Sequence, residues 1–253
     1  LNSGGTVFCW GSNGALQLGQ EDATLTALVP VAVSGNVVGV SGVTGIEAGS
    51  KFTCVLTNNS GIRGAGCWGA DILDPTPAIV LGLVFVDKTL RARPVGDLSL
   101  VDKIVDISAG RGHSCALLVD GTVRCWGLGD NGELNGLLTR YTHEPQAVPG
   151  LAGVTSISAG TTATCATNGD RVACWGLLSG VADGGPSENV RFIGGVRGAT
   201  QVAVGSDHAC ALIALGQAQC WGFNSAGRLG DGEIGTSPPD PRTPRPVVAS
   251  VVG

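Results

Sequence analysis

The tripeptide Cys-Trp-Gly occurs five times along the 253-residue chain and contains every tryptophan. The copies begin at Cys9, Cys67, Cys125, Cys174 and Cys220, which are 58, 58, 49 and 46 residues apart. Periods of about 40 to 50 residues are typical of propellers and solenoids, in which each repeat is one supersecondary unit. The spacing predicts a single repeat domain over 1–253, with approximate repeats 1–45 (partial), 46–103, 104–153, 154–198 and 199–253.

A second motif precedes four of the five tripeptides. It is Ala-Gly or Val-Gly, and a cysteine lies five residues after its glycine; these cysteines are Cys54, Cys115, Cys165 and Cys210. Two short apolar runs separated by a glycine turn join each of them to the next Cys-Trp-Gly. This pattern predicts a β-hairpin in each of the four repeats.

In three hairpins the turn residues place the two cysteines opposite each other. The loops Val119-Asp120-Gly121 and Ala214-Leu215-Gly216 have glycine third, where a three-residue loop needs left-handed backbone, and Gly169-Asp170 suits a type II′ turn. Opposed residues have Cα atoms about 4.5 to 5.5 Å apart, which a disulfide tolerates. We predict the disulfides Cys115–Cys125, Cys165–Cys174 and Cys210–Cys220, and by analogy between repeats Cys54–Cys67.

Cysteine usage also bears on metals and on the compartment. A C-x2-C zinc spacing is absent from the sequence, and residues opposed across a hairpin form poor tetrahedral ligand sets, so no metal or cofactor is predicted. Disulfides persist in oxidising compartments. The predicted localisation is therefore extracellular, cell-surface or periplasmic.

Composition favours short strands and weighs against two partner classes. The chain has 42 glycines but only five phenylalanines and one tyrosine, which favours short strands and tight turns over helices. The formal net charge is −5 and the 15 basic residues are scattered, whereas nucleic-acid binding needs a basic stripe. The most apolar stretch, Ala78–Val86, is about half the length that a bilayer requires. Neither nucleic-acid binding nor membrane insertion is predicted.

Four motifs recur in a fixed order: Ala-Gly, the hairpin cysteine, Val-x-Cys-Trp-Gly, and a glycine-containing loop such as Gly222–Gly230. The best copies are Ala109–Leu134 and Val204–Gly230. This order resembles the regulator of chromosome condensation repeat family, whose repeats form the four-stranded blades of a β-propeller. The resemblance implies an all-β propeller with about five repeats visible, open to being part of a larger ring.

Two further expectations follow from the blade architecture. Strand alternation places each tryptophan on the opposite face from the preceding cysteine, so the rings are predicted to pack between adjacent blades or against the next loop. Plant ultraviolet receptors of this family use tryptophans after the Ala-Gly motif. Here those positions hold Ser50, Arg111, Thr161 and Ser206, so no chromophore cluster is predicted.

The motifs that could carry chemistry have simpler interpretations. Gly127–Gly132 matches a dinucleotide-binding pattern, but no helical pattern follows it, so we assign it to the repeat consensus. The acidic loops Asp130–Glu133 and Asp231–Glu233 are expected to be structural turns rather than calcium sites. Among the histidines, His113 and His208 share one repeat position. Because equivalent positions lie on different blades, we expect them to diverge, and no catalytic centre is predicted.

Three surface features remain open to interpretation. The insertions Ala70–Lys103 and Asp231–Pro246 are either loops with local packing or a partner surface, since loops on rigid scaffolds commonly carry recognition. Asn58-Asn59-Ser60 is a glycosylation sequon, and its use depends on the host.

Cys9 is expected to be unpaired within the chain. Alignment with Cys125 places Leu1 at Leu117, after the position where the partner of Cys9 would stand. We expect that partner outside these residues, either in further sequence that completes a ring of about six to seven blades or in a neighbouring subunit.

The predicted function is a non-enzymatic, secreted or surface-exposed propeller that acts as a protein-binding or structural scaffold. The alternatives are a subunit of an extracellular filament or multidomain surface assembly joined through open blade edges, and an uncharacterised enzyme. The predicted partner is a protein or a neighbouring copy of the chain.

Overall fold

A computed structural model describes residues 1, 6–20, 26–33, 42–69, 93–94, 103–134, 141–178, 190–234 and 243–247. Within these ranges the chain forms one two-stranded and four four-stranded antiparallel sheets. Regular helix is limited there to one 3₁₀ turn at Ala214–Gly216. The all-β fold class predicted from the sequence is confirmed.

The strands follow the repeats in chain order, and each four-stranded sheet pairs its strands consecutively. The first sheet consists of β1 (Phe8–Ser12) and β2 (Thr26–Ala32). The second contains β3 (Val43–Ala48), β4 (Phe52–Asn59), β5 (Ile62–Gly69) and β6 (Arg93–Pro94). The third contains β7 (Ile104–Ala109), β8 (His113–Leu118), β9 (Val123–Leu128) and β10 (Tyr141–Ala147). The fourth contains β11 (Ser156–Ala159), β12 (Ala163–Thr167), β13 (Val172–Gly176) and β14 (Arg191–Phe192). The fifth contains β15 (Gln201–Val204), β16 (His208–Leu212), β17 (Ala218–Gly222) and β18 (Arg245–Pro246). We call the five sheets blades 1 to 5.

The central hairpin of each four-stranded blade has a cysteine on both strands. The structure pairs Cys54 with Cys67, Cys115 with Cys125, Cys165 with Cys174 and Cys210 with Cys220 across the ladders, and joins each pair by a disulfide. Their Cα atoms lie 4.0 to 4.1 Å apart. In blade 2 the two hairpin strands, β4 and β5, are eight residues long, so the longer Cys54–Cys67 hairpin keeps the same opposition.

The turns of these hairpins use the glycines that the sequence indicates. Gly121, Gly169 and Gly216 have φ values of 76°, 85° and 73°, in the left-handed region that glycine adopts without a steric penalty. Leu215 also has a positive φ, 65°, which the sequence did not predict.

Four of the five tryptophans pack between blades, as predicted. Trp126 packs with Cys54 and Cys67 of the preceding blade. The other three contacts follow the same rule: Trp68 with Cys9, Trp175 with Cys115 and Cys125, and Trp221 with Cys165 and Cys174. Each interface between blades therefore combines the cysteines of one blade with the tryptophan of the next.

Two of these tryptophans also bind a backbone carbonyl of the preceding blade. Trp68 Nε1 donates to the Gln17 carbonyl oxygen at 3.1 Å, and Trp175 Nε1 donates to that of Glu133 at 2.8 Å. Both carbonyls lie in the loop after a Cys-Trp-Gly strand. The loop that each ring contacts is thus the preceding one, whereas the sequence interpretation suggested the next one.

Blade 1 departs from this packing. Trp10 is 63% exposed, so the prediction that each ring packs between adjacent blades or against the next loop is wrong for this residue. Its neighbour Cys9 is buried against Trp68 and is a free thiol. Burial raises the pKa of that thiol, because desolvation disfavours the thiolate.

Non-reducing peptide mapping should recover the four disulfides within blades, Cys54–Cys67, Cys115–Cys125, Cys165–Cys174 and Cys210–Cys220. Removing one of them, by replacing Cys115 and Cys125 together with alanine, should lower the free energy of unfolding by roughly 2.5 to 3 kcal/mol, because the ten-residue loop is no longer closed in the unfolded chain. Linked peptides from two different repeats would contradict this pairing.

The insertion Ala70–Lys103 lies almost entirely outside the described residues, which include only β6 and Lys103. Of the second insertion, Asp231–Ile234 and 243–246 are described. No helix in the described ranges is long and apolar enough to cross a membrane.

Candidate functional site

The Ala-Gly motifs form the turns that connect the first and second strands of blades 2 to 5. Four turns meet around one depression with a volume of about 470 Å³. They are Ala48–Ser50, Ala109–Arg111, Ala159–Thr161 and Val204–Ser206. We call this site the central depression, and it contains the equivalent residues of four successive repeats.

In two of these turns glycine is required because the neighbouring turn comes very close. A Cβ atom on Gly110 would lie 2.3 Å from the Gly160 carbonyl oxygen, and one on Gly160 would lie 2.2 Å from the Gly205 oxygen. Hydrogen bonds join the same turns: Arg111 N–H donates to Gly160 O at 3.2 Å, and Thr161 N–H to Gly205 O at 3.3 Å. The Ala-Gly turns of adjacent blades are thus in direct contact.

A side chain just before each alanine strengthens that contact. Ser108 Oγ accepts a hydrogen bond from Ala159 N–H at 2.9 Å, and Ser158 Oγ accepts one from Val204 N–H at 3.0 Å. The carboxylate of Glu47 accepts from Ala109 N–H in the same position. Because these bonds cross every described interface from blade 2 to blade 5, they fix the turns relative to one another.

The residue after Ala-Gly lines the depression in all four turns, and it is serine in two of them, arginine in one and threonine in one. Ser50, Arg111 and Ser206 are exposed and Thr161 is half-buried. We expected equivalent positions to diverge on different blades, and for these positions that expectation is wrong, since all four line one cavity. The sequence signal was present in the shared repeat register, but only the arrangement of blades around a centre brings the residues together.

Among the described residues that line the depression, Arg111 is the only charged one. It makes no ion pair with any residue in the described ranges, whereas Arg228 pairs with Asp207, and Arg197 lies 3.6 Å from Asp170. The walls are otherwise alanine, glycine, valine and hydroxyl side chains. Such a lining can donate hydrogen bonds and hold one anionic group, but it lacks the paired acid and base of a hydrolytic centre.

The two repeat-equivalent histidines lie beneath the turns rather than in the depression. A Cβ on Gly110 would contact the His113 ring, and one on Gly205 would contact His208. His113 is fully buried and its Nε2 lies 2.7 Å from Thr164 Oγ1 of the next blade. Burial lowers the pKa of His113 to about 4, because desolvation disfavours the imidazolium.

The acidic loops stabilise turns through contacts of their own. Buried Glu133 accepts hydrogen bonds from the backbone and side-chain nitrogens of Asn131 at 2.8 and 2.7 Å, while burial raises its pKa. Arg245 pairs with Asp231 at 2.7 Å and with Glu233 at 3.0 Å. The described residues contain no group of three or more His, Cys, Asp or Glu side chains that could hold a metal ion.

The sequon residue Asn58 lies at the exposed tip of the blade 2 hairpin, and its Oδ1 accepts a hydrogen bond from Gly61 N–H at 2.9 Å.

Comparison with known proteins identifies the repeats. Sequence models of the regulator of chromosome condensation (RCC1) repeat match residues 104–133 and 199–228, and residues 4–56. The ultraviolet-B receptor UVR8 of Arabidopsis thaliana is 32% identical over 142 residues, which are 52% of this chain and 32% of UVR8. The chain therefore spans about a third of that relative.

Two solved structures share the fold at lower sequence identity. Human WBSCR16 superposes with a TM-score of 0.77 at 19% identity, over 97% of this chain and 63% of its own. Prp20p of Saccharomyces cerevisiae, which is described with its binding to Gsp1p and histones, superposes with a TM-score of 0.61 at 18% identity, over 100% of this chain and 75% of its own. These superpositions establish the blade architecture.

Proposed function

Since the chain belongs to the regulator of chromosome condensation (RCC1) repeat family, we propose that it is a non-enzymatic, secreted or surface-exposed propeller that binds a protein partner at the central depression. The observation that carries the proposal is the meeting of four turns at one concave site, each contributing a polar or charged side chain directly after Ala-Gly. Loops held on a rigid scaffold are the usual location of recognition residues.

The scaffold supporting that site is rigid. Disulfides close the central hairpins of blades 2 to 5, and hydrogen bonds join the turns across the blades. A preorganised surface loses little conformational entropy when a partner binds. Rigidity at a concave, solvent-accessible site therefore favours a role in binding.

The disulfides also support the proposed compartment. Four cysteine pairs joined within blades are typical of proteins that fold in an oxidising environment. The relative Prp20p, described with its binding to Gsp1p and histones, illustrates protein binding by a propeller of this fold. We extend only the mode, a propeller face presented to a protein, and propose an extracellular or periplasmic partner.

Photo-crosslinking tests this proposal by comparing the two sides of the propeller. Each second strand begins at an Ala-Gly turn and ends at a hairpin turn, so Leu215 lies on the opposite side from Ser206. A photo-reactive amino acid at Ser206 should form a discrete adduct with a secreted or surface protein, whereas the same group at Leu215 should not. The purified partner should then bind the wild type, and Thr161→Trp, which fills the depression, should abolish binding. Equal adducts from both sides, or none from Ser206, would overturn the proposal.

A second candidate function is assembly with a neighbouring copy, and the surface of blade 1 favours it. Trp10, Leu28 and Val29 are 63%, 90% and 67% exposed, and adjacent large apolar side chains of this kind commonly mark interaction surfaces. Light scattering of the purified protein should then show oligomers that Trp10→Ser converts to monomers. A monomeric wild type would exclude this candidate.

A further inference from the structure

We infer that the central depression recognises an acidic side chain on a protruding loop of the partner, and that Arg111 binds its carboxylate. The inference rests on the proposed function, since it specifies what enters the site. Its basis is the single unpaired guanidinium in a cavity whose other lining residues carry no charge.

The charges around the depression single out Arg111. Asp207, next to Ser206, is already paired with Arg228. Glu47 and Asp106 on the inner strands are not among the lining residues, and the Glu47 carboxylate is bound to Ala109 N–H. The protein as a whole has a net charge of −5. Lys51, next to Ser50, is also an exposed cation, but it is not among the described residues that line the depression, whereas Arg111 is. A guanidinium binds a carboxylate through two parallel hydrogen bonds.

The hydroxyl groups complete a polar rim around that charge. Ser50, Thr161 and Ser206 hold the positions equivalent to Arg111 in the other three turns. Hydroxyl groups both donate and accept hydrogen bonds, so they can bind the backbone amides that flank an acidic residue. The small alanine and glycine residues between them leave room for a backbone to approach.

The lining of the depression favours a loop over a small molecule. A cavity of about 470 Å³ has room for a few residues. Sites for small organic ligands are lined mainly by apolar and aromatic side chains that cover most of the ligand, and the residues lining this depression include no aromatic side chain. An acidic loop tip fits the volume and, unlike a small organic ligand, does not need an aromatic lining.

Cyclic hexapeptides that differ only in one central residue provide the probe. With Asp or Glu at that position, the wild-type protein should bind at least about tenfold more tightly than with Asn or Gln, because a charge-assisted hydrogen bond is lost in the amides. Arg111→Ala should remove this preference, and Arg111→Glu should shift it to Lys. Arg197→Ala, which removes an exposed arginine on the opposite side, is the matched control and should leave the preference unchanged.

The outcomes distinguish failure of this inference from failure of the proposed protein-binding function. Peptides that bind the wild type without an acidic preference, and that no longer bind the Thr161→Trp variant, would overturn the inference. The proposal that the depression binds a protein would then still stand. An acidic preference that survives Arg111→Ala would overturn the assignment of Arg111. Binding of free N-acetyl-aspartate as tightly as the cyclic peptide would assign the site to a small carboxylate and overturn the loop. Absence of binding by every peptide would also overturn the inference, whereas the crosslinking experiment tests the function by itself.

Discussion

Replacing Trp175 by alanine should lower the free energy of unfolding by about 3 to 5 kcal/mol. The side chain is 1% exposed and packs between blades 3 and 4 against Cys115, Cys125 and Leu134. Its Nε1 also donates to the Glu133 carbonyl oxygen at 2.8 Å. Alanine would leave a cavity at the interface and an unpaired buried carbonyl, so both losses act in the same direction. Chemical denaturation followed by circular dichroism, with the disulfides intact, measures the change.

Two further variants separate packing from hydrogen bonding. Trp175→Phe keeps most of the ring but removes the hydrogen-bond donor, so its free energy of unfolding should be about 1 kcal/mol lower than that of the wild type. Trp10→Ala removes an exposed ring of the same repeat position, and surface substitutions of this kind usually change stability by less than about 0.5 kcal/mol. An unfolding midpoint for Trp175→Ala equal to that of the wild type would show that the interface does not depend on this residue.

The hairpins could be predicted because their signals are local. The glycines of the loops ending at Gly121 and Gly216 fix the turn geometry, and the turn geometry sets the cross-strand register within about ten residues of sequence. The tryptophan contacts were harder to predict from the sequence, since alternation along a strand indicates the face on which a residue lies but not the blade that it contacts. Trp175 therefore could be placed between blades, while its contact with the preceding loop at Glu133 could not.

The resemblance to the repeat family singled out the four positions after Ala-Gly, but the residues themselves do not show that these positions share one depression. Arg111 and Thr161 are 50 residues apart, and nothing within either repeat indicates that their turns touch. The sequence shows Gly110 and Gly160 as parts of an Ala-Gly motif, but it does not show the reason for glycine there, which is that a Cβ atom would collide with the next turn. A repeat arranged around a centre brings equivalent loops together, whereas a linear solenoid spreads them along its length. The resemblance to a propeller family therefore indicated the four positions, and the structure shows that they line one depression.

Lowering the pH should destabilise the protein through His113. Its pKa is about 4 in the folded protein, while the unfolded chain titrates near the ordinary value of about 6.5. Between these values the unfolded state binds a proton that the folded state does not, so the free energy of unfolding falls as the pH drops from 6.5 towards 4. The contribution is fully present above pH 6.5 and amounts to about 3 kcal/mol. Denaturation measured at intervals from pH 7.5 to pH 4 gives the slope.

The variant His113→Gln tests this assignment, because glutamine can still donate to Thr164 but takes up no proton. Its free energy of unfolding should depend less on pH over this interval, so the wild type should lose stability relative to the variant as the pH falls. Thr164→Val is the matched control: it removes the hydroxyl that lies 2.7 Å from His113 Nε2 and leaves the imidazole buried. That variant should be less stable at every pH and should keep the acid dependence, since burial of the ring is its cause. Parallel pH profiles for His113→Gln and the wild type would show that other groups cause the acid sensitivity.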